Sequence, residues 1–175
     1  LVVFDLDGVL VEARDFHYEA LNRALASVDE KYIISREEHL STYDGLNTSK
    51  KLWKLSQTKA LSLDSHDEIW KKKQKSTHDV IKEKIKPEDH LSIASLLKKL
   101  KDEGYMVYCA SNSIRSSVKL MLIRAGYIEY IDEYFSNEDV KSPKPHSEIY
   151  LKCMLRAGVN PKECLIVEDS HIGRK

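Results

Sequence analysis

The chain opens on Leu1 to Leu6, an apolar run interrupted only by Asp5 and followed at once by the turn signal Asp7-Gly8. So short and so apolar a run predicts a strand buried on both faces that ends in a loop. Met106 to Ala110 and Cys164 to Val167 have the same character, and each leads into a polar segment carrying Ser, Asn, Glu or Asp. They predict further buried strands. Ile93 to Glu103, Val118 to Ala125 and Glu148 to Ala157 carry apolar residues at helical spacing, with Gly104, Gly126 and Gly158 where a glycine ends a helix. Alternating strands and helices imply right-handed crossovers, hence an α/β fold with a parallel sheet and helices on both faces.

The stretch from about Val11 to Lys86 breaks this alternation. Tyr18 to Val28, Ser35 to Tyr43, Ser49 to Leu55 and His66 to Ile85 read as helix after helix with no convincing strand. Residues 12–86 are therefore expected to form an all-helical insertion, and residues 1–11 and 87–175 a core. An insertion that leaves directly after the first strand is expected over the carboxyl edge of the sheet, where open α/β sheets bind ligands.

At 175 residues the chain has room for one core with a modest insertion, and 42% hydrophobic against 32% charged residues excludes a disordered or fibrous class. Lys plus Arg equals Asp plus Glu at 28 each, which removes the global electrostatic case for a nucleic-acid or membrane-surface partner. No apolar run approaches the roughly 20 residues needed to cross a bilayer. With no signal-peptide pattern either, the expected address is cytoplasmic and a monomer is favoured. Cys109, Cys153 and Cys164 are odd in number and widely spaced, so they are expected reduced and structural. The chain begins without Met and stops at Gly173-Arg174-Lys175, and both ends look trimmed.

Chemistry enters with Asp5. An ionised carboxylate in a strand buried on both faces costs several kcal/mol unless it is paired or bound to metal. Asp7, two residues on, is expected to point the same way, so two carboxylates converge at one edge of the sheet. Such a pair is stable with a cation or with one shared proton, and both arrangements suit phosphoryl transfer assisted by Mg²⁺. Taken alone, Asp-x-Asp-Gly is equally compatible with a solvated turn. Three later segments stand at strand ends or helix starts: Ser111-Asn112, whose hydroxyl and amides could hold a phosphoryl oxygen; Lys144, a compact positive charge; and Glu168-Asp169, carboxylates for the metal. Each has a bland reading by itself, as a turn, a surface dipeptide or a helix cap. In this order on one sheet edge, they supply nucleophile, hydroxyl, cation and metal acids.

With those residues in view, the chain resembles the haloacid-dehalogenase-like hydrolase superfamily, in the subgroup with a helical cap after the first strand. Asp5-Leu6-Asp7-Gly8-Val9-Leu10 resembles its first motif, Ser111 its second, Lys144 its third and Glu168-Asp169-Ser170 its fourth. The resemblance spans the whole chain and implies a Rossmann-like core. It also implies that Asp5 is phosphorylated, that Asp7 is acid and base while lending its backbone carbonyl to Mg²⁺, that Asp169 with Glu168 completes the metal shell, and that Ser111 and Lys144 hold the phosphate. The family's dehalogenases lack the second aspartate, so Asp7 speaks for the phosphatase and mutase branch, with a small phosphorylated metabolite as substrate.

His17, followed by Tyr18-Glu19-Ala20-Leu21, resembles the cap entry of sugar phosphatases and β-phosphoglucomutases. Without the family it reads as a helix-start residue. The cap loop Tyr43-Asp44-Gly45-Leu46-Asn47-Thr48 lacks the arginine that the mutases tend to carry near Thr48, which favours hydrolysis. Lys71-Lys72-Lys73-Gln74-Lys75 could supply compensating charge to the substrate, Lys73 above all, although a lysine run is usually a solvated face. The alternatives are a phosphomutase, a phospho-receiver that the helical insertion argues against, and a form inactive because the family's sheet continues past the fourth motif.

Overall fold

In a computed structural model that describes residues 1–43 and 46–170, the core is a four-stranded sheet in the order β3-β2-β1-β4, with every pairing parallel. Its strands are β1 (Val2–Phe4), β2 (Val107–Ala110), β3 (Glu133–Phe135) and β4 (Leu165–Val167). The chain divides into two compact units, one made of Leu1–Arg14 and the chain from Ile81 onward, the other of Asp15–Val80.

In the first unit the helices α5 (Leu91–Asp102), α6 (Arg115–Arg124) and α7 (Glu148–Ala157) alternate with strands, as the apolar spacing predicts. Gly158 shows why α7 stops where it does. It has φ +69, and its amide turns back to the carbonyls of Leu155 and Met154, closing the helix with a left-handed residue. Val3, Tyr108 and Ala110 from the sheet pack with Ile149, Tyr150 and Cys153 of α7 in one core cluster.

Two strands differ from expectation. β3 carries Glu133-Tyr134-Phe135, three half-buried residues with no apolar run to announce them. It forms because β2 offers a partner edge, with Tyr108 opposite Glu133 and Ala110 opposite Phe135. Among the described residues β4 stands at the edge of the sheet, where the sequence predicts a strand buried on both faces, with Leu165 61% exposed and Ile166 36% exposed. Cys164 beside it is half-exposed, while Cys109 and Cys153 are buried, and all three are free thiols.

Among its described residues the second unit contains helices joined by turns and no strand. It holds α1 (Arg14–Ala26), which begins one residue before the unit, then α2 (Arg36–Glu38) running on through a wider π turn at His39–Tyr43, α3 (Thr48–Lys59) and most of α4 (His66–Lys84). Ser35 starts α2 with a reciprocal cap: its hydroxyl accepts from the Glu38 amide at 3.1 Å while Glu38 Oε2 accepts from the Ser35 amide at 2.8 Å. Asn47 starts α3 by accepting from the Lys50 amide at 2.9 Å. Leu21, Leu25, Tyr32, Ile34, Leu52, Leu55 and Ile69 bury their side chains together as the unit's own core. No helix among the described residues is long and apolar enough to cross a membrane. Asp44 and Gly45 of the cap loop, and the terminal Gly173-Arg174-Lys175, lie outside the described residues.

Candidate active site

Sheet register determines which residues meet. Phe4 of β1 stands opposite Cys109 of β2 and Val167 of β4. Because all three strands run parallel, the residues just beyond them emerge at one carboxyl edge: Asp5 after β1, Ser111 after β2 and Glu168 after β4. Lys144 arrives from the loop before α7.

Lys144 organises the cluster. Its Nζ donates to Asp5 Oδ1 at 2.6 Å, to Glu168 Oε2 at 2.9 Å and to the carbonyl of Ala110 at 2.9 Å. All three donor positions of the ammonium are thereby used, and Lys144 is only 8% exposed. Asn112 holds the lysine's backbone from the other side, its Oδ1 accepting from the Lys144 amide at 2.9 Å and its Nδ2 donating to the Lys144 carbonyl at 3.1 Å. The side chain of Asn112 thus braces the lysine loop.

The electrostatics follow from burial. Desolvation pushes the Asp5 carboxyl up to about 7, against the downward pull of Lys144. Burial alone would lower Lys144, but Asp5, Tyr150 and Glu168 more than reverse it, and the ammonium is held firmly protonated. For Glu168 the burial penalty is likewise outweighed, by hydrogen bonds from Lys144 and Tyr150, so its carboxyl lies below the usual range.

Asp7 is the second carboxylate of the first loop, and its Oδ2 accepts from Ser111 Oγ and Ser113 Oγ, each at 3.2 Å. Ser111 is fully buried and its Oγ also accepts from the Ser113 amide at 3.0 Å. Asp5, Glu168 and Asp169 each present a carboxylate oxygen, and these oxygens lie within 4.8 Å of one another. Three hard, anionic oxygen donors at that spacing fit Mg²⁺, which prefers carboxylate and water oxygens. Asp5 and Asp169 are therefore close enough to share one ion.

The expected cap residues meet each other within the second unit. Lys73 Nζ donates to His17 Nδ1 at 3.4 Å, and Lys73 is 7% exposed although Lys71 and Lys75 of the same run are solvated. The run is thus not a uniform solvated face. Three residues that touch the cluster were given no role in it from the sequence, although Ser170 closes the fourth motif. Ser113 is one more serine in a turn. Tyr150 and Ser170 donate to Glu168, at 2.7 Å and 2.8 Å respectively, but Tyr150 looks like an ordinary apolar position of α7 and Ser170 like a cap after the acids.

Over residues 2–175 the chain matches the family described as haloacid dehalogenase-like hydrolase, and it belongs to that family. Among curated proteins it is 29% identical over 198 residues to a haloacid dehalogenase-like hydrolase domain-containing protein of Arabidopsis thaliana, with 98% of the chain and 63% of that protein covered. It is 26% identical to the β-phosphoglucomutase of Bacillus subtilis (98% and 76% covered) and 23% identical to the fructose-1-phosphate phosphatase of Escherichia coli (98% and 87% covered). The chain thus spans somewhat under two thirds of the first of these relatives and about three quarters or more of the others. Among solved structures, the β-phosphoglucomutase of Clostridium difficile superposes with a TM-score of 0.76 at 26% identity, covering 98% of this chain and 77% of that one.

Proposed function

We propose that this chain is a Mg²⁺-dependent phosphatase that hydrolyses a small phosphorylated metabolite of the sugar-phosphate type through a phosphoenzyme intermediate on Asp5. The observation that carries the reading is the setting of Asp5: a buried carboxylate with an ammonium 2.6 Å away and with carboxylate oxygens of Glu168 and Asp169 within 4.8 Å.

In the first step a carboxylate oxygen of Asp5 forms a bond to phosphorus while the bond from phosphorus to the leaving oxygen breaks, and the Asp7 carboxyl gives the departing alkoxide its proton. In the second step Asp7 takes a proton from a water molecule, whose oxygen attacks phosphorus and returns the Asp5 carboxylate and inorganic phosphate. Mg²⁺ held by Asp5 and Asp169, with Asp7 and Glu168 beside them, would neutralise enough charge for one anion to approach another. Lys144 orients Asp5 and offers positive charge to the phosphoryl oxygens, and Ser111, whose hydroxyl donates to Asp7, is the second phosphate contact. Within the helical unit, His17 and Lys73, 3.4 Å apart, are carried as the candidate substrate contacts. The same reading assigns residues 12–86 as the cap, and the cytoplasm as the setting in which three free thiols stay reduced.

Asp5→Asn tests the mechanism directly. Phosphate release from an aryl phosphate with Mg²⁺ should fall by roughly a thousandfold or more. Wild-type rates from that variant would sink the reading.

A second reading is supported by the similarity to β-phosphoglucomutases: the same phosphoenzyme passes its phosphoryl group back to a sugar instead of to water. The absence of an arginine near Thr48 favours hydrolysis. Incubation with hexose 1-phosphates separates the two by the ratio of isomer to free phosphate.

A further inference from the structure

Glu168 is held at both oxygens. Its Oε1 accepts from the Ser170 amide at 3.1 Å and the Ser170 hydroxyl at 2.8 Å, and its Oε2 from Lys144 at 2.9 Å and the Tyr150 hydroxyl at 2.7 Å. Four donors thus meet this one carboxylate. Such a carboxylate cannot swing without breaking several charge-assisted hydrogen bonds at once. Tyr150 also contacts the lysine itself, because the Lys144 ammonium lies 5.0 Å from the centre of its ring. Tyr150 is 6% exposed and anchored in the core between sheet and α7, so its hydroxyl is held on a rigid element.

We propose that Tyr150 is a positioning residue for the reaction: its hydroxyl fixes Glu168, and through Glu168 the Lys144 ammonium, in line with Asp5. The inference rests on the phosphatase reading for its catalytic consequence, and on geometry alone for the restraint of Lys144. Lys144 meets the reacting group most strongly as charge redistributes in the transition state, so loosening it lowers kcat more than it raises KM.

Tyr150→Phe keeps the ring and removes only the hydroxyl. In the full chain with Mg²⁺ and p-nitrophenyl phosphate, kcat should fall about tenfold while KM stays within about twofold and the melting temperature within a few degrees. In a Glu168→Gln background the same substitution should change kcat by less than about twofold, since the residue acts through the charged carboxylate. A second measurement does not depend on turnover: in ¹⁵N-lysine-labelled protein, the Lys144 ammonium signal, assigned by its loss in Lys144→Arg, should exchange with solvent faster in Tyr150→Phe. Equal losses in both backgrounds, an unchanged kcat, or an unchanged exchange rate would each overturn the proposal. If wild type and Asp5→Asn released phosphate equally, the phosphatase reading would fall, whereas the exchange measurement would still decide whether Tyr150 restrains Lys144.

Discussion

A Cβ built on Gly8 would lie 2.4 Å from Asp169 Oδ2 and 2.7 Å from its Cγ. The first loop and the loop after β4 therefore touch through a position with room for hydrogen only, and the backbone there has φ +94, which L side chains rarely adopt. Close approach at Gly8 is what lets Asp169 reach the same place as Asp5.

Gly8→Ala should accordingly carry two penalties. Backbone strain and the displaced carboxylate together should cost about 1–3 kcal/mol of stability, seen as a lower urea midpoint. Asp169 must also move, so the Mg²⁺ concentration giving half-maximal stabilisation in a thermal titration should rise severalfold. A variant with the wild-type Mg²⁺ requirement would mean that Asp169 does not hold the ion.

Lys144 compensates two carboxylates at once, with Asp5 and Glu168 side chains 10% and 3% exposed respectively. Lys144→Met fills similar volume but leaves both uncompensated, and breaking a buried pair in this way costs roughly 3–5 kcal/mol. The variant should be destabilised most at neutral pH and recover part of the loss near pH 4, where the acids take up protons. Chemical denaturation at the two pH values checks this; an equal loss at both would mean that packing, not charge, is responsible.

Asp5 has a pH signature of its own. Its pKa is raised by burial from 3.8 to about 7, so between those values the folded chain holds a proton that the unfolded chain has released. Whatever stability Asp5 contributes is fully present below about pH 4 and is lost as pH rises through about 7. Asn, neutral throughout, escapes that loss. In chelator, the stability of Asp5→Asn relative to wild type should therefore grow from pH 4 to pH 8, by roughly 1–4 kcal/mol. A difference flat with pH would mean that Asp5 is ionised as readily in the fold as in the unfolded chain.

Much of this molecule is legible in its residues taken in order. An apolar hexapeptide broken by one aspartate announces both a buried strand and the site it serves, because an acid in that position needs compensation wherever the strand ends up. The period of Glu148 to Ala157 and the glycine after it define α7 to the residue. Local chemistry suffices for such elements, since spacing and caps act within a few residues of chain.

Other features exist only once distant segments meet. β3 is a strand because β2 has an edge to pair with, and Glu133-Tyr134-Phe135 contains nothing that demands it. Lys73 is buried beside His17 while its neighbours in the same lysine run stay in water, a choice made by the facing helix. Asn112 turns to the Lys144 backbone, and Tyr150 turns from a core ring into a hydrogen-bond donor to Glu168. The sequence by itself determined which groups are present and on which elements they sit. Only the tertiary structure decided which of them share a hydrogen bond, because hydrogen-bond geometry is set to fractions of an ångström by packing between segments far apart in the chain.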